Sequence, residues 1–273
     1  MHKYDLKIGT KKIGGIFSFL DYNDKIQNRE EFVKSFVSKI KPIMGFGYAG
    51  FSHEIYLESK LQNSIFDIPA DKIKKFTVPE KEIIDLLKTQ IKLVMPTLPL
   101  EKLNIYVFPT FSTFVKKNMG GTTGTTPWKN TMLVFIDPKK NWKKYLAGTF
   151  IHEYNHAAAF QYHTWTSLIN KLVFEGLAEV FLEEIDPHAP LKIGPMLSLQ
   201  RSKKIYSGIK SKSNSKSVKL YNEIFYDNKK YPLWAGYSIG YWIVKTFREK
   251  NLTLSWKDIL KLSHKTILKE SKF

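Results

Sequence analysis

Between Tyr145 and Glu184 the chain reads YLAGTFIHEYNHAAAFQYHTWTSLINKLVFEGLAEVFLEE, and its centre is His152-Glu153-Tyr154-Asn155-His156. In an α-helix, residues four apart share a face, one turn above the other. His152 and His156 therefore aim two imidazoles at one point, and Glu153 follows about 100° further round the same helix. Two imidazole nitrogens with a carboxylate beside them are what a catalytic zinc requires: ligands at about 2.0–2.1 Å and a base next to the bound water.

HExxH alone also describes an ordinary amphipathic helix, so the downstream segment decides the reading. Catalytic zinc sites keep three protein ligands and an open position, and two His with one Glu is a standard set. Glu175 follows His156 by nineteen positions, enough for the first helix to end, turn and send a second helix back antiparallel. Glu179 lies one turn beyond Glu175 on the same face, placed to accept the hydrogen bond that fixes a ligating imidazole's tautomer. Leu172, Val173, Phe174, Leu177, Ala178, Val180, Phe181 and Leu182 surround these carboxylates, so at least one points inward and needs a partner. His163 shares a face with His152, but seven residues from His156 is about 10.5 Å of rise. That is too far to share the ion, and His163 reads as structural or substrate-lining.

HExxH with a later Glu is the gluzincin pattern, and Glu175-Gly176-Leu177-Ala178 resembles the Glu-Gly-Phe-Ala ligand segment of aminopeptidase-N-like enzymes. The wider stretch resembles the YjaZ-like predicted zinc-dependent proteases through GGTT at Gly120–Thr123, VFIDP at Val134–Pro138, HEYNH, EGLAE, and GYSIGYWIV at Gly236–Val244. A metzincin would want Gly at Ala159 and His at Tyr162, and has neither here. The resemblance implies an α+β, mostly helical fold: a zincin-like core with a small mixed sheet backed by the HExxH helix, flanked by N- and C-terminal helices. It implies one Zn(2+) per chain on His152, His156 and Glu175, with Glu153 as general base. Gluzincins commonly add a phenol or imidazole from a later helix, and Tyr237 and Tyr241 are the candidates. Tyr237-Ser238-Ile239-Gly240 resembles the Tyr-x-x-Gly run that bears the oxyanion tyrosine of aminopeptidases, which favours Tyr237; both also read as core aromatics with Trp234 and Trp242.

MGGTTGTTP at Met119–Pro127 reads as a glycine-rich loop without the Gly-Lys-Ser/Thr ending of a phosphate-binding loop. The resemblance places Gly120, Gly121, Thr122 and Thr123, together with Tyr241, along a substrate cleft where backbone groups pair with an extended peptide. A plain surface hairpin is the other reading. Met132–Ile136 reads as a strand, and Asp137-Pro138 as the cap and first-turn pair of the HEYNH helix.

At 273 residues the chain suits one large domain or two lobes. Residues 1–96 read as a mainly helical segment and 97–273 as the zincin-like peptidase domain, or the two as one continuous unit. A helix is expected over Glu30–Ile40, stopped by Pro42 and a loop at Gly45, Gly47 and Gly50, and another from Thr77 or Pro79 to Val94. Asn104–Phe108 reads as a strand. Thr164 or Ser167 caps the helix that carries Glu175, and Asp186-Pro187 stops it. The basic, serine-rich segment 201–219 reads as flexible, and helices resume over Tyr237–Glu249 and Trp256–Leu268.

The absence of Cys excludes disulfides, thiolate zinc ligands and a cysteine nucleophile. The early apolar run Ile16–Leu20 is too short for a signal core, and no apolar stretch approaches transmembrane length. A cytoplasmic protein is expected, a trimmed export signal being invisible. The net charge of +18 favours acidic partners, although the same lysines read equally well as a solubilising surface. No nucleic-acid motif accompanies them. The leading expectation is a zinc metallopeptidase acting on a peptide or protein substrate. The alternatives are a noncatalytic, zinc-stabilised protein that holds acidic partners on its basic surface, its pocket closed by a fourth ligand such as His163, and a zinc hydrolase of a non-peptide bond.

Overall fold

Leu103–Pro109, LNIYVFP, and Thr131–Ile136, TMLVFI, are nearly continuous apolar runs, the pattern of strands covered on both faces. They are β3 and β5 of a five-stranded sheet ordered β1-β2-β3-β5-β4, with β1 His2–Ile8, β2 Lys11–Ser18 and β4 Thr122–Trp128. β2, β3 and β5 run parallel, and β1 and β4 close the two edges antiparallel. Stacked rings bind neighbouring strands: Phe17 on Tyr106 at 4.9 Å and Phe108 on Phe135 at 5.6 Å. The computed structural model describes residues 1–20, 33–34, 37–38, 58–59, 61, 77–139, 141–164, 166–191, 193–227 and 229–273. The helix expected over 30–40 and the glycine loop after it lie outside these, apart from positions 33–34 and 37–38.

The chain divides into two compact units, Met1–Met95 with Leu100–Glu153, and Pro96–Pro99 with Tyr154–Phe273. The first holds the whole sheet, helix α1 (Glu80–Val94) and the short α2 (Thr113–Asn118). α1 follows Pro79 and carries Glu80 and Glu82 in its first turn, where the helix dipole favours them. The mainly helical reading of the N-terminal segment fails at its start. β1 and β2 form a hairpin turning at Gly9, whose φ of +57° suits glycine. Met119–Pro127 is a loop only from Met119 to Gly121, with φ of +64° at Gly120 and +88° at Gly121; from Thr122 onward it is the edge strand β4.

Helix α3 (Trp142–Ala159) passes from the first unit into the second, and the second is otherwise helical. It contains α4 (Leu168–Ile185), α5 (Leu199–Ile209), α6 (Val218–Phe225), α7 (Ala235–Lys250), α8 (Trp256–Lys261) and α9 (His264–Ser271). Asp137 caps no helix: its carboxylate accepts the Lys139 N–H at 2.9 Å, and α3 begins only at Trp142. The segment 201–219, expected to be flexible, is largely helical. One of its serines, Ser217, is a cap that accepts the Leu220 N–H, just as Ser198 before the segment accepts that of Arg201, and Ser202, Tyr206 and Ile209 form a buried stripe on α5. The single helix expected over Trp256–Leu268 breaks at Ser263, the cap of α9. Among the described residues no helix is long and apolar enough to cross a membrane.

The second unit is locked where α4 crosses α7. A Cβ on Gly240 would lie 1.9 Å from the Leu172 carbonyl oxygen, and one on Gly176 would lie 2.0 Å from the Gly240 carbonyl oxygen. Backbone meets backbone there, so no side chain can rotate away. Gly240→Ala is expected to destabilise the protein by about 3 kcal/mol or more, lowering Tm by roughly 6–12 °C. A thermal melt within about 2 °C of the parent would show that the crossing tolerates a methyl group.

Candidate metal centre

The helix carrying HEYNH ends on Ala157, Ala158 and Ala159, the best helix formers. It is held in place at Tyr154, whose hydroxyl donates to the Leu98 carbonyl at 2.8 Å. From Glu153 to Ala159 every residue is buried, while His152 is half-buried. α4 starts with a reciprocal cap between Ser167 and Asn170, and Leu168 and Ile169 donate their N–H groups to the Ser215 and Ser213 carbonyls. Its residues from Leu172 to Leu182 are all buried, so both Glu175 and Glu179 lie inward, where the sequence required at least one.

One ligand atom from each of His152, His156 and Glu175 lies within 4.8 Å of the other two. His156 Nε2 is 3.3 Å from Glu175 Oε2. Two donors at bonding distance on one tetrahedral zinc are themselves about 3.3 Å apart, so this pair already has the spacing of metal ligands. The donor set, two imidazoles and a carboxylate, is that of a zinc site with an open fourth position. Burial argues the same way. Glu153, Glu175 and Glu179 are 6%, 8% and 4% exposed, and buried carboxylates need compensating positive charge. Among the described residues no fourth His, Cys, Asp or Glu joins this cluster. His163 instead lines a cavity of about 570 Å³ with Phe160, Asn170 and His264. There burial depresses the His264 pKa, aided by the charges of Lys265 and His163.

Several surrounding contacts have no signature in the motif. The ring of Phe174, the residue before Glu175, stacks on His156 at 3.9 Å and 15°, and Phe160 meets Phe174 edge-on at 5.1 Å. Thr126 of β4 places its hydroxyl 2.8 Å from Glu153 Oε2. Gly120, Gly121, Thr122 and Thr123 of the expected cleft also belong to the first unit, whereas Tyr241 belongs to the second. A Cβ on Gly120 would strike the Tyr145 ring, Gly121 accepts the Asp137 N–H at 2.7 Å, the Thr122 and Thr149 hydroxyls meet at 2.8 Å, and Thr123 pairs with Phe135. The β-branched threonines of TTGTTPW are the one trace of this strand in the sequence, blurred because Thr and Gly suit loops as well.

Glu179 Oε2 accepts the Gly194 N–H at 2.7 Å, tying the chain beyond α4 back onto it. Tyr237 is 8% exposed and packs edge-on between Phe225 at 5.3 Å and Trp234 at 5.4 Å. Trp234 precedes α7 with a φ of +68°, a left-handed conformation that tryptophan adopts only at a cost. Burial first, and then the charge of nearby Glu175, push the Tyr237 phenol well above its usual pKa. Its hydroxyl lies 3.4 Å from that of Tyr226, which lies 3.4 Å from that of Tyr221. Tyr241 faces elsewhere: it donates to Glu183 Oε2 at 2.9 Å, and Lys245 donates to the same oxygen at 3.1 Å. Glu183 is two turns past Glu175, so the two tyrosines have different carboxylates beside them.

Residues 83–269, 187 of the 273 in the chain, match the model of a family described as "Predicted Zn-dependent protease (DUF2268)". No curated protein matches the chain.

Proposed function

The chain belongs to this family of predicted zinc-dependent proteases, and from that premise we propose that it hydrolyses peptide bonds with Glu153 as general base, beside a zinc held by His152, His156 and Glu175. The observation that carries this reading is the convergence of the three ligand atoms within 4.8 Å of one another, on the helix that also bears Glu153. Zinc held there would supply Lewis acidity, for polarising the scissile carbonyl and for lowering the pKa of water toward about 7. Glu153 takes the proton from the attacking water and delivers it to the leaving amine. Tyr237, a buried phenol that stays protonated, donates to the oxygen on which negative charge develops. Glu179, fixed by the Gly194 N–H, orients an imidazole of the site. Among the described residues β4 is an edge strand of the sheet, and an extended substrate adds to it as a further strand.

The noncatalytic reading needs a closed site with a fourth protein ligand, and the residue named for that role, His163, stands apart from the cluster. The net charge of +18 supports acidic peptides as the preferred substrates through faster encounter.

The test is metal analysis followed by cleavage of a peptide library graded in charge, with and without a chelator. One zinc per chain, cleavage abolished by the chelator and restored by zinc, and faster turnover of acidic members are expected. A metal-loaded protein that cleaves no peptide would sink the peptidase reading, and charge-independent cleavage would remove the acidic preference alone. In the same assay Tyr237→Phe is expected to keep its zinc and lose about 10²-fold in kcat, as for other donors to a developing oxyanion. An unchanged kcat would leave Tyr237 as a core aromatic.

A further inference from the structure

In a β-strand alternate residues share a face, and on β4 that face carries Thr122, Gly124 and Thr126. All three meet α3. The Thr122 hydroxyl contacts that of Thr149, one helical turn before Glu153. A Cβ on Gly124 would lie 2.4 Å from Glu153 Cγ, 2.9 Å from Cδ and 3.0 Å from Oε1, so the carboxyl arm of Glu153 lies directly across the glycine. Thr126 then reaches the end of that arm, its Oγ1 2.8 Å from Glu153 Oε2 and 3.0 Å from the Glu153 carbonyl oxygen. Thr126 is itself 6% exposed.

The strand is shaped for this contact. Pairing with β5 runs regularly to Thr125↔Leu133 and resumes at Trp128↔Thr131, which leaves Thr126 and Pro127 together opposite Met132. That is a β-bulge, a device that redirects a side chain beside a site. Pro127 has no N–H to withhold from the ladder, which suits it to a bulge on an edge strand.

We infer that Thr126 is a positioning residue for the general base: its hydroxyl holds the Glu153 carboxylate in its working orientation, over a strand that Gly124 keeps close. A glutamate has three side-chain torsions to arrest, and a carboxylate displaced by an ångström delivers its proton poorly. The alternative role for this hydrogen bond is a tether between strand and helix. A tether would affect folding but not turnover by the folded enzyme.

The inference rests on the reading of Glu153 as the base, and the test separates the two. Thr126→Val removes the hydroxyl and keeps the branched shape. It is expected to lower kcat about 10- to 100-fold, the worth of one hydrogen bond to a charged group, with KM within about twofold of the parent because substrate binding is untouched. Zinc content should stay at the parent's level, and Thr126→Ser should recover kcat to within about threefold by restoring the donor. If valine prevents folding, Thr126→Ala removes the donor without added bulk and is measured instead. A folded, zinc-loaded variant lacking the hydroxyl but with the parent's kcat overturns the inference, as does a Thr126→Ser that fails to recover. With Glu153→Gln inert in the same assay, either result leaves the base assignment standing. A parent that cleaves nothing overturns both.

Discussion

Glu153→Gln is expected to lower kcat by about 10³-fold or more, near the upper end of what a positioned general base contributes, while the protein keeps its zinc. Glutamine has almost the shape of glutamate, and its side-chain carbonyl can still accept from the Thr126 hydroxyl that now lies 2.8 Å from Oε2. The three residues converging as a ligand set, His152, His156 and Glu175, are untouched. The amide lacks only the ability to take up a proton and pass it on. Turnover of a peptide under saturating conditions, with zinc content measured on the same preparation, checks this. A variant that keeps zinc and more than about a tenth of parental kcat would show that another group serves as the base. Loss of zinc together with activity would instead place Glu153 among the ligands.

Glu175→Ala is expected to abolish zinc binding at micromolar metal, and activity with it. The loss of affinity should exceed the roughly 10–100-fold cost of removing a residue that only orients a ligand. That comparison decides between the two roles open to a buried carboxylate near an imidazole. The 3.3 Å separation of Glu175 from His156 is what two ligands on one ion require, but it is equally the distance of a salt bridge to a protonated histidine. A competition titration against a chelator separates these, and thermal melts give a second readout. The parent should gain stability with added zinc by binding linkage, whereas the variant should gain none. If Glu175→Ala bound zinc within about tenfold of the parent, the carboxylate would be an orienting partner and the third ligand would have to be sought elsewhere.

The centre of the site was legible because helix periodicity is local. His152 and His156 need only four intervening steps of one helix to converge, and Glu175 needs only a second helix with the cap that Ser167 provides. Apolar neighbours on α4 announced that at least one of its glutamates points inward, and both are buried. Legibility fell wherever a contact depended on a partner far along the chain. Thr126 and Gly124 looked like loop residues, and only their pairing with β5 and packing on α3 make them the support of Glu153. Tyr237 and Tyr241 are equivalent by spacing, and packing alone sets one near Glu175 and the other on Glu183. The serines of 201–219 suggested disorder by composition, yet Ser217 is a helix cap, as is Ser198 just before the segment.

The sequence by itself determined the chemistry of the centre: a helix with two imidazoles and a carboxylate, a second helix with at least one inward glutamate, and no cysteine to offer another kind of ligand. It also determined the central strands β3 and β5, whose apolar runs need no partner to be recognised. Tertiary structure alone decided that His2–Ile8 and Lys11–Ser18 are strands, because β2 earns its place by pairing Gly14 with Leu103, far along the chain. It alone decided that Gly176 and Gly240 must be glycines, since the obstacle to a side chain is the backbone of another helix. And it alone set an edge strand with a bulge against the base. Periodicity reports which way a residue faces; what it faces is settled only when distant segments pack, and no local pattern encodes that.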